Sequence, residues 1–241
     1  MGIQVGRSAV MAGQEYLDAN ISRYVSVQRL RHYFNVSNSY VISKIFLILF
    51  PWRHKPWSRQ IRRSEINGQM EGYMPPRDDT NSPDMYIPVM ATVTYILLSG
   101  VLAGLAGKFS PEMLGVVGSK AFLVILLEFC FLRLGTYLLT ISNESQFLDL
   151  FAYSGYKFIG IIIAQLAEGL GSLFYWPIFL YCFAANAFFL MRSLKYVVLP
   201  ETSGNNAIAA TVTSRQRTRR IQFLFIYSVI VQLLFMFGLQ Y

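Results

Sequence analysis

Residues 75–88 read Pro75-Pro76-Arg77-Asp78-Asp79-Thr80-Asn81-Ser82-Pro83-Asp84-Met85-Tyr86-Ile87-Pro88, and the chain then turns apolar. This junction divides a polar N-terminal third from a hydrophobic remainder, so its reading decides the fold. Its prolines stop any helix arriving from the polar side. Pro88 fits the first turn of the helix that follows, where the N–H it lacks has no intrahelical partner. Asp78, Asp79 and Asp84 form an acidic group, but the prolines and Asn81 among them suit a turn better than a metal site.

Of 241 residues, 54% are hydrophobic and 14% charged, against about 25% charged in soluble domains. A soluble chain of this length could bury a good core, so the class rests on how the apolar residues are distributed. Five segments approach or exceed the roughly 20 helical residues that cross a bilayer: 86–107, 122–141, 151–167, 172–191 and 221–239. The first, fourth and fifth hold no Asp, Glu, Lys or Arg; the second carries Glu128 and Arg133, and the third carries Lys157 near one end. The expected architecture is an all-α membrane protein, with a five-helix transmembrane bundle over residues 86–241 behind a cytoplasmic N-terminal region, residues 1–85. Residues 1–30 contain no apolar run of the signal-peptide kind, so the first span is expected to act as an internal signal. The final residues are not a retrieval tetrapeptide. Cys130 and Cys182 both lie in spans and are expected to pack as free thiols, without a disulfide framework.

Charge orients the bundle. Residues 1–85 hold 11 Lys and Arg and the 192–220 connection holds six, whereas the 108–121 connection holds only Lys108 and Lys120. With five spans the two basic regions share a side, which then carries 17 basic residues against two on the other. The positive-inside rule makes that side cytosolic and the C-terminus lumenal. The third span, the least apolar, is needed for this result. The sequons at Asn20, Asn35 and Asn143 are then cytosolic and stay unmodified. The run Arg215-Gln216-Arg217-Thr218-Arg219-Arg220 abuts a span, so anionic headgroups explain it better than nucleic acid. No nucleic-acid partner is expected.

Within the polar third, residues 14–33 form a modestly amphipathic helix in this reading. Residues 40–50 form an apolar run, interrupted by Lys44, that is too short to span. Pro51-Trp52-Arg53-His54-Lys55-Pro56-Trp57-Ser58-Arg59 follows, aromatic and cationic together. Tryptophan flanked by Lys and Arg suits the headgroup level, so 36–59 is read as an interfacial segment. The alternative is the core of a small soluble subdomain. Residues 60–74 read as a polar linker.

Inside the spans, Gly100 and Gly104 are spaced i, i+4, and so are Ala103 and Gly107, which marks a candidate helix-packing face. Glu128 and Arg133 lie about 140° apart on a helix and need not pair. A proton or ion pathway is the functional alternative. Packing against polar groups of neighbouring spans, with Arg133 snorkelling, is preferred, because one acid and one base do not make a relay. Pro177 is expected to kink the fourth span. The two histidines, His32 and His54, lie outside the spans; no zinc-protease motif, phosphate loop or intramembrane Ser/His pair occurs. Neither an enzyme nor a cofactor is expected. A small-molecule transporter or lipid scramblase using intramembrane polar residues is the alternative from another class, although no internal repeat supports it. A membrane-shaping role for 36–59 is a third.

Two long stretches carry a family resemblance. Tyr33-Phe34-Asn35-Val36-Ser37-Asn38-Ser39-Tyr40-Val41 with Leu49-Phe50-Pro51-Trp52-Arg53-His54-Lys55-Pro56-Trp57-Ser58-Arg59 resembles the cytoplasmic signature of the Yip-interacting factor (Yif) family. Residues 75–91 with Thr94-Tyr95-Ile96-Leu97 are similar to that family's entry into its first span. The resemblance covers about residues 30–240. It implies a non-enzymatic membrane adaptor in vesicle-mediated protein transport between endoplasmic reticulum and Golgi, located in those membranes and in transport vesicles. It further implies a Yip-type membrane partner and Rab GTPases, with coat or cargo proteins as further partners. It brings no catalytic residue. Tyr33, Phe34, Phe50, Pro51, Trp57, Pro75, Pro76, Asp78, Asn81, Pro83, Asp84, Tyr86 and Pro88 become candidate partner-binding or structural signature positions.

Overall fold

The computed structural model of the chain describes residues 27–63, 70–139, 146–198 and 214–240. Most of the expected 14–33 helix, Asn20, Asn143 and most of the 192–220 connection lie outside the described residues. The elements are α1 (Val27–Tyr33), α2 (Asn38–Leu49), a short 3-10 turn at Pro51–Arg53, β1 (Ile61–Arg63), β2 (Met70–Tyr73), α3 (Tyr86–Leu105) and α4 (Pro111–Leu138). They continue with α5 (Gln146–Gly155), α6 (Lys157–Leu170), α7 (Ser172–Val198), α8 (Ser214–Ile226), a π-helical turn at Tyr227–Val231, and α9 (Gln232–Gln240).

Five helical stretches are long and apolar enough to cross a membrane: Tyr86–Leu105, Pro111–Leu138, Leu148–Gly169, Leu173–Tyr196 and Arg217–Gln240. The protein is an integral membrane protein built as an all-α bundle. Helix α4 starts at Pro111 because Ser110 is extended and Pro111 opens the helix, with Glu112 in the first turn where the helix dipole favours an acid. Helix α7 runs through Pro177 without a break.

The third span is the centre of the bundle, and this explains its weak hydropathy. Its two pieces, α5 and α6, meet at Tyr156, and every residue from Ala152 to Ile161 is buried. A helix enclosed by protein carries small and polar residues that lipid would penalise. Two of them are glycines whose missing Cβ is needed. A Cβ on Gly155 would stand 2.5 Å from Pro88 Cβ and 3.2 Å from its Cα, and one on Gly160 would stand 3.1 Å from Cys182 Cβ. Close backbone approach of this kind lets helices associate where lipid removes the hydrophobic drive. Cys182 is buried and Cys130 exposed, both as free thiols.

Helix α2 leans antiparallel against α7. Its Lys44 Nζ lies 5.7 Å from the Phe189 ring centre, and the Tyr181 hydroxyl donates to Leu49 O at 2.9 Å. Ser37 caps its start by accepting from Tyr40 N at 3.2 Å. Tyr40, Lys44, Leu47 and Ile48 face the bundle and are buried, while Ile42 and Phe46 point away.

One expectation needs correcting. The described parts of 60–74 are not a plain linker: β1 and β2 pair antiparallel, with Ile61 opposite Tyr73 and Arg62 opposite Gly72. Strands of three and four residues are too short to show a period of two in a polar sequence. Their pairing is secured outside the strands, where Met74 N donates to Gln60 O at 3.0 Å and Gln60 N to Asp79 Oδ2 at 2.9 Å.

Candidate functional site

The two signature stretches fold onto each other. Arg77 N donates to Asn35 O at 3.0 Å and Met85 N to Tyr33 O at 3.2 Å. The Asn81 side chain donates to Pro56 O and Ser58 O, both at 3.0 Å, and its Oδ1 lies 2.9 Å from His54 Nε2. Ser82 Oγ donates to Met74 O at 3.0 Å. The result is a cap over one end of the bundle, tied to α5 at its edge: Arg59 pairs with Asp149 at 2.8 Å, and the Tyr33 hydroxyl donates to the same carboxylate at 2.5 Å.

Beneath the cap lies a first buried polar centre. Asp84, fully buried, accepts at Oδ1 from the Tyr40 hydroxyl at 2.9 Å and the Tyr156 hydroxyl at 2.7 Å. Its Oδ2 accepts from Ile87 N at 2.7 Å, satisfying one of the unpaired N–H groups that open α3. Lys44 Nζ donates to Thr80 O at 2.7 Å and Ser82 O at 3.0 Å, and stands over the rings of Tyr40, Tyr156 and Phe189. Burial pushes Lys44 down to about 8, against the opposing attraction of Asp84. Burial and the Asp84 carboxylate push the Tyr40 hydroxyl well above its ordinary value.

A second centre begins one residue further along the central span. Lys157 pairs with Glu128, and the two are 1% and 0% exposed at their side chains. Glu128 also accepts from the Tyr227 hydroxyl at 2.5 Å and from the Gln232 amide. Asn186 Nδ2 donates to Gln232 Oε1 at 3.3 Å. Residues of α4, α6 and the last span therefore meet at one carboxylate, and α7 joins them through the Asn186–Gln232 bond. Tyr227 and Gln232 are five apart, which on an α-helix sets them about 140° apart. The π-helical turn between them widens the helix so that both reach the same oxygen. Such turns are frequent at functional positions.

The remaining sequence candidates separate. The Gly100, Ala103, Gly104 and Gly107 set does not form one face. Gly100 is buried against α4, where a Cβ would meet Leu114 Cδ2 at 2.7 Å, but nothing stands near Gly104. Gly107 has φ +68° and closes α3: its N–H bonds Gly104 O at 3.0 Å while Lys108 N bonds Ala103 O at 2.9 Å, a Schellman ending that favours glycine. Glu128 does not face Arg133, which is exposed on α4. Among the signature positions, Pro51, Pro76, Pro83, Asp84 and Pro88 are buried; Phe50, Trp57, Pro75 and Asn81 are partly so; Phe34, Asp78 and Tyr86 are exposed. Tyr156, Tyr227, Gln232 and Asn186 were not singled out from sequence; Tyr40 stood only within a signature stretch, Lys44 only as a break in an apolar run, and Lys157 only for its place near a span end. Their one signal was polarity inside or beside apolar runs, which names no partner.

The cap is made of the segments that carry the family resemblance, and comparison with known proteins agrees. The YIF1 family profile matches residues 1–240. A fission-yeast relative (Schizosaccharomyces pombe), Protein transport protein yif1, is 55% identical over 244 residues, covering 99% of this chain and 81% of its own. The chain belongs to the YIF1 family. Budding-yeast (Saccharomyces cerevisiae) Protein transport protein YIF1 is 35% identical, with 95% of this chain and 73% of its own covered. Xenopus laevis Protein YIF1B-B is also 35% identical, covering 98% and 75%. No solved structure matches the chain. For this YIF1-family chain, the arrangement joins cap to bundle through Asp84 and joins three spans at Glu128, with α7 linked to them through Gln232. Both centres are sealed from solvent, so what they do chemically is to pair buried charge and hold helix register.

Proposed function

We propose that this YIF1-family protein is a non-enzymatic membrane adaptor in vesicle-mediated protein transport between endoplasmic reticulum and Golgi. It acts in a heteromeric complex with a Yip-type membrane protein and with Rab GTPases, and coat or cargo proteins are further partners. It resides in those membranes and in transport vesicles, with the capped end and N-terminus cytosolic and the C-terminus lumenal. Kinship carries this reading: a relative 55% identical over 99% of the chain is named a protein transport protein. The 17-to-2 division of basic residues supports the orientation.

Two surfaces are available for such partners. In the bundle, Gly104 leaves open space on α3 where another helix can approach. On the cap, Phe34 is 44% exposed beside a hollow of about 480 Å³ lined by Arg31, His32, Phe34 and Asn35. His32 there is lowered by partial burial, with Asp149 and Arg59 acting in opposite directions. Co-purification from native membranes tests both surfaces. Gly104→Leu is expected to reduce recovery of the membrane partner, and Phe34→Asp to reduce recovery of the GTPase. Full recovery of both partners with both variants overturns this assignment of surfaces. A transporter or scramblase reading depends on a free Glu128, and the engagement of that carboxylate by Lys157, Tyr227 and Gln232 counts against it.

A further inference from the structure

Phe188, on α7 one turn before Arg192, is the hub of an outward-facing cluster. The Trp52 and Trp57 rings each approach it at 6.3 Å, and the Arg192 guanidinium stands 5.4 Å over its face. Arg53 and Lys55 lie in the loop between the two tryptophans, and Lys195 is one turn beyond Arg192. All four cations are exposed, and none forms an ion pair among the described residues. Positive charge is therefore concentrated here without an acidic partner among the described residues.

Below Arg192 and Lys195 the surface is apolar. Tyr181, which holds the end of α2 through Leu49 O, precedes Phe188 by seven residues and so lies about 10 Å further along α7. Helix α2 descends beside α7 over that distance. Its outward residues Ile42 and Phe46, 70% and 51% exposed, continue the outward surface of α7 formed by Leu180, Tyr181 and Ala184. Because α7 is one of the five spans, its outward surface at this depth meets lipid chains. The face of α2 shares that surface: α2 runs antiparallel to α7, so Ile42 lies near the level of Arg192 and Phe46 about one turn lower, while Trp52 reaches down to Tyr181, with ring centres 5.6 Å apart.

We propose that this is an anionic phospholipid site. The acyl chains lie against Phe46, Trp52 and Leu180, and the headgroup phosphate sits at Arg192 and Lys195, with Arg53 and Lys55 in the loop beside it. Arginine and lysine donate strong charge-assisted hydrogen bonds to phosphate oxygens. Trp57, beside Phe188, fits the headgroup level, and Trp52 lies deeper, against Tyr181. The site is separate from both buried centres and does not depend on a partner in transport. A second copy of the chain or a protein partner covering the same face leaves the four unmatched charges unexplained, which is why the lipid is preferred.

The full chain, reconstituted in phosphatidylcholine vesicles, tests the proposal by tryptophan quenching. Replacing Trp57 and Trp176 with Phe leaves Trp52 as the single reporter. A Trp176→Phe protein that keeps both cap tryptophans guards against loss of packing at Trp57. A small fixed fraction of phosphatidylserine with brominated chains is compared with the same fraction of brominated phosphatidylcholine. The anionic lipid is expected to quench about twofold more, as a locally enriched lipid should. Arg192→Gln with Lys195→Gln, or Arg53→Gln with Lys55→Gln, brings the ratio toward one. Lys108→Gln with Lys120→Gln, at the other end of the bundle, leaves it unchanged. Inorganic phosphate in the buffer does not lower it. Equal quenching by the two lipids overturns the proposal in favour of an unselective bilayer face. No quenching by either overturns it too: acrylamide access to Trp52 then means water, and lack of access means a covering protein.

Discussion

Two buried lysines, each about 1% exposed, are handled in different ways. Lys157, in the bundle, meets a carboxylate whose other oxygen is held by a tyrosine and an amide. Lys44, under the cap, meets no carboxylate directly; two backbone carbonyls and three aromatic faces surround it, with Asp84 acting from a distance. The bundle thus neutralises charge by pairing, and the cap solvates it with peptide dipoles. Pairing suits a site enclosed by helices, whose backbone groups are already bonded to each other. The cap is irregular backbone, and its turn at Thr80–Ser82 has carbonyls free to accept. A pair is costly to break from one side. A carbonyl cradle should tolerate loss of the charge better.

The sharpest test removes one member of the pair. Lys157→Met leaves Glu128 buried without its cation and should cost about 3–5 kcal/mol of unfolding free energy in mixed micelles. Adding Glu128→Leu should recover most of that loss. Equal instability of the single and double variants would break the contrast with Lys44. Asp84→Ala removes the acceptor of two tyrosine hydroxyls and Ile87 N, and is expected to cost about 2–4 kcal/mol. Because it loosens the cap first, cleavage by added protease within residues 54–60 should rise before the bundle unfolds.

Gly155→Ala drives a methyl group into Pro88, where cap and bundle meet, and should cost about 1–3 kcal/mol. Gly104→Ala, in open space, should stay within about 0.5 kcal/mol. Thermal unfolding of the two in the same detergent separates them. The last effect is that of pH. Between about 8 and its ordinary 10.5, Lys44 is neutral in the folded protein and protonated in the unfolded one. The unfolded state holds the extra proton, so stability rises with pH through that window, by about 1–2 kcal/mol up to pH 10. Above pH 10 the Tyr40 hydroxyl, kept protonated in the fold, reverses the trend. Lys44→Met should flatten the rise, and an unchanged profile in that variant would show that another group titrates.

Much of the architecture was legible because lipid imposes a simple rule: a span must be long, apolar and helical. The third span met that rule least well, since it touches lipid least. The β1–β2 pair escaped notice because pairing held by Gln60 and Asp79 leaves no periodic trace. The glycines of α3 were singled out by spacing alone. That spacing also fits a packing residue, an open surface and a helix ending, which are the roles Gly100, Gly104 and Gly107 take.

By itself, then, the sequence determined the membrane class, the five spans, the asymmetry of charge and the family signatures, because composition and order suffice for each. Only the tertiary structure decided that the signatures close on Asp84 as a cap and that Lys157 answers Glu128 instead of Arg133. It also decided that Gly155, outside any small-residue motif, is a close join between the first and third spans. These depend on which helix faces lie together and on a π-helical turn that realigns Tyr227 with Gln232. Spacing along a chain fixes directions around one helix, but it does not say which neighbour stands there.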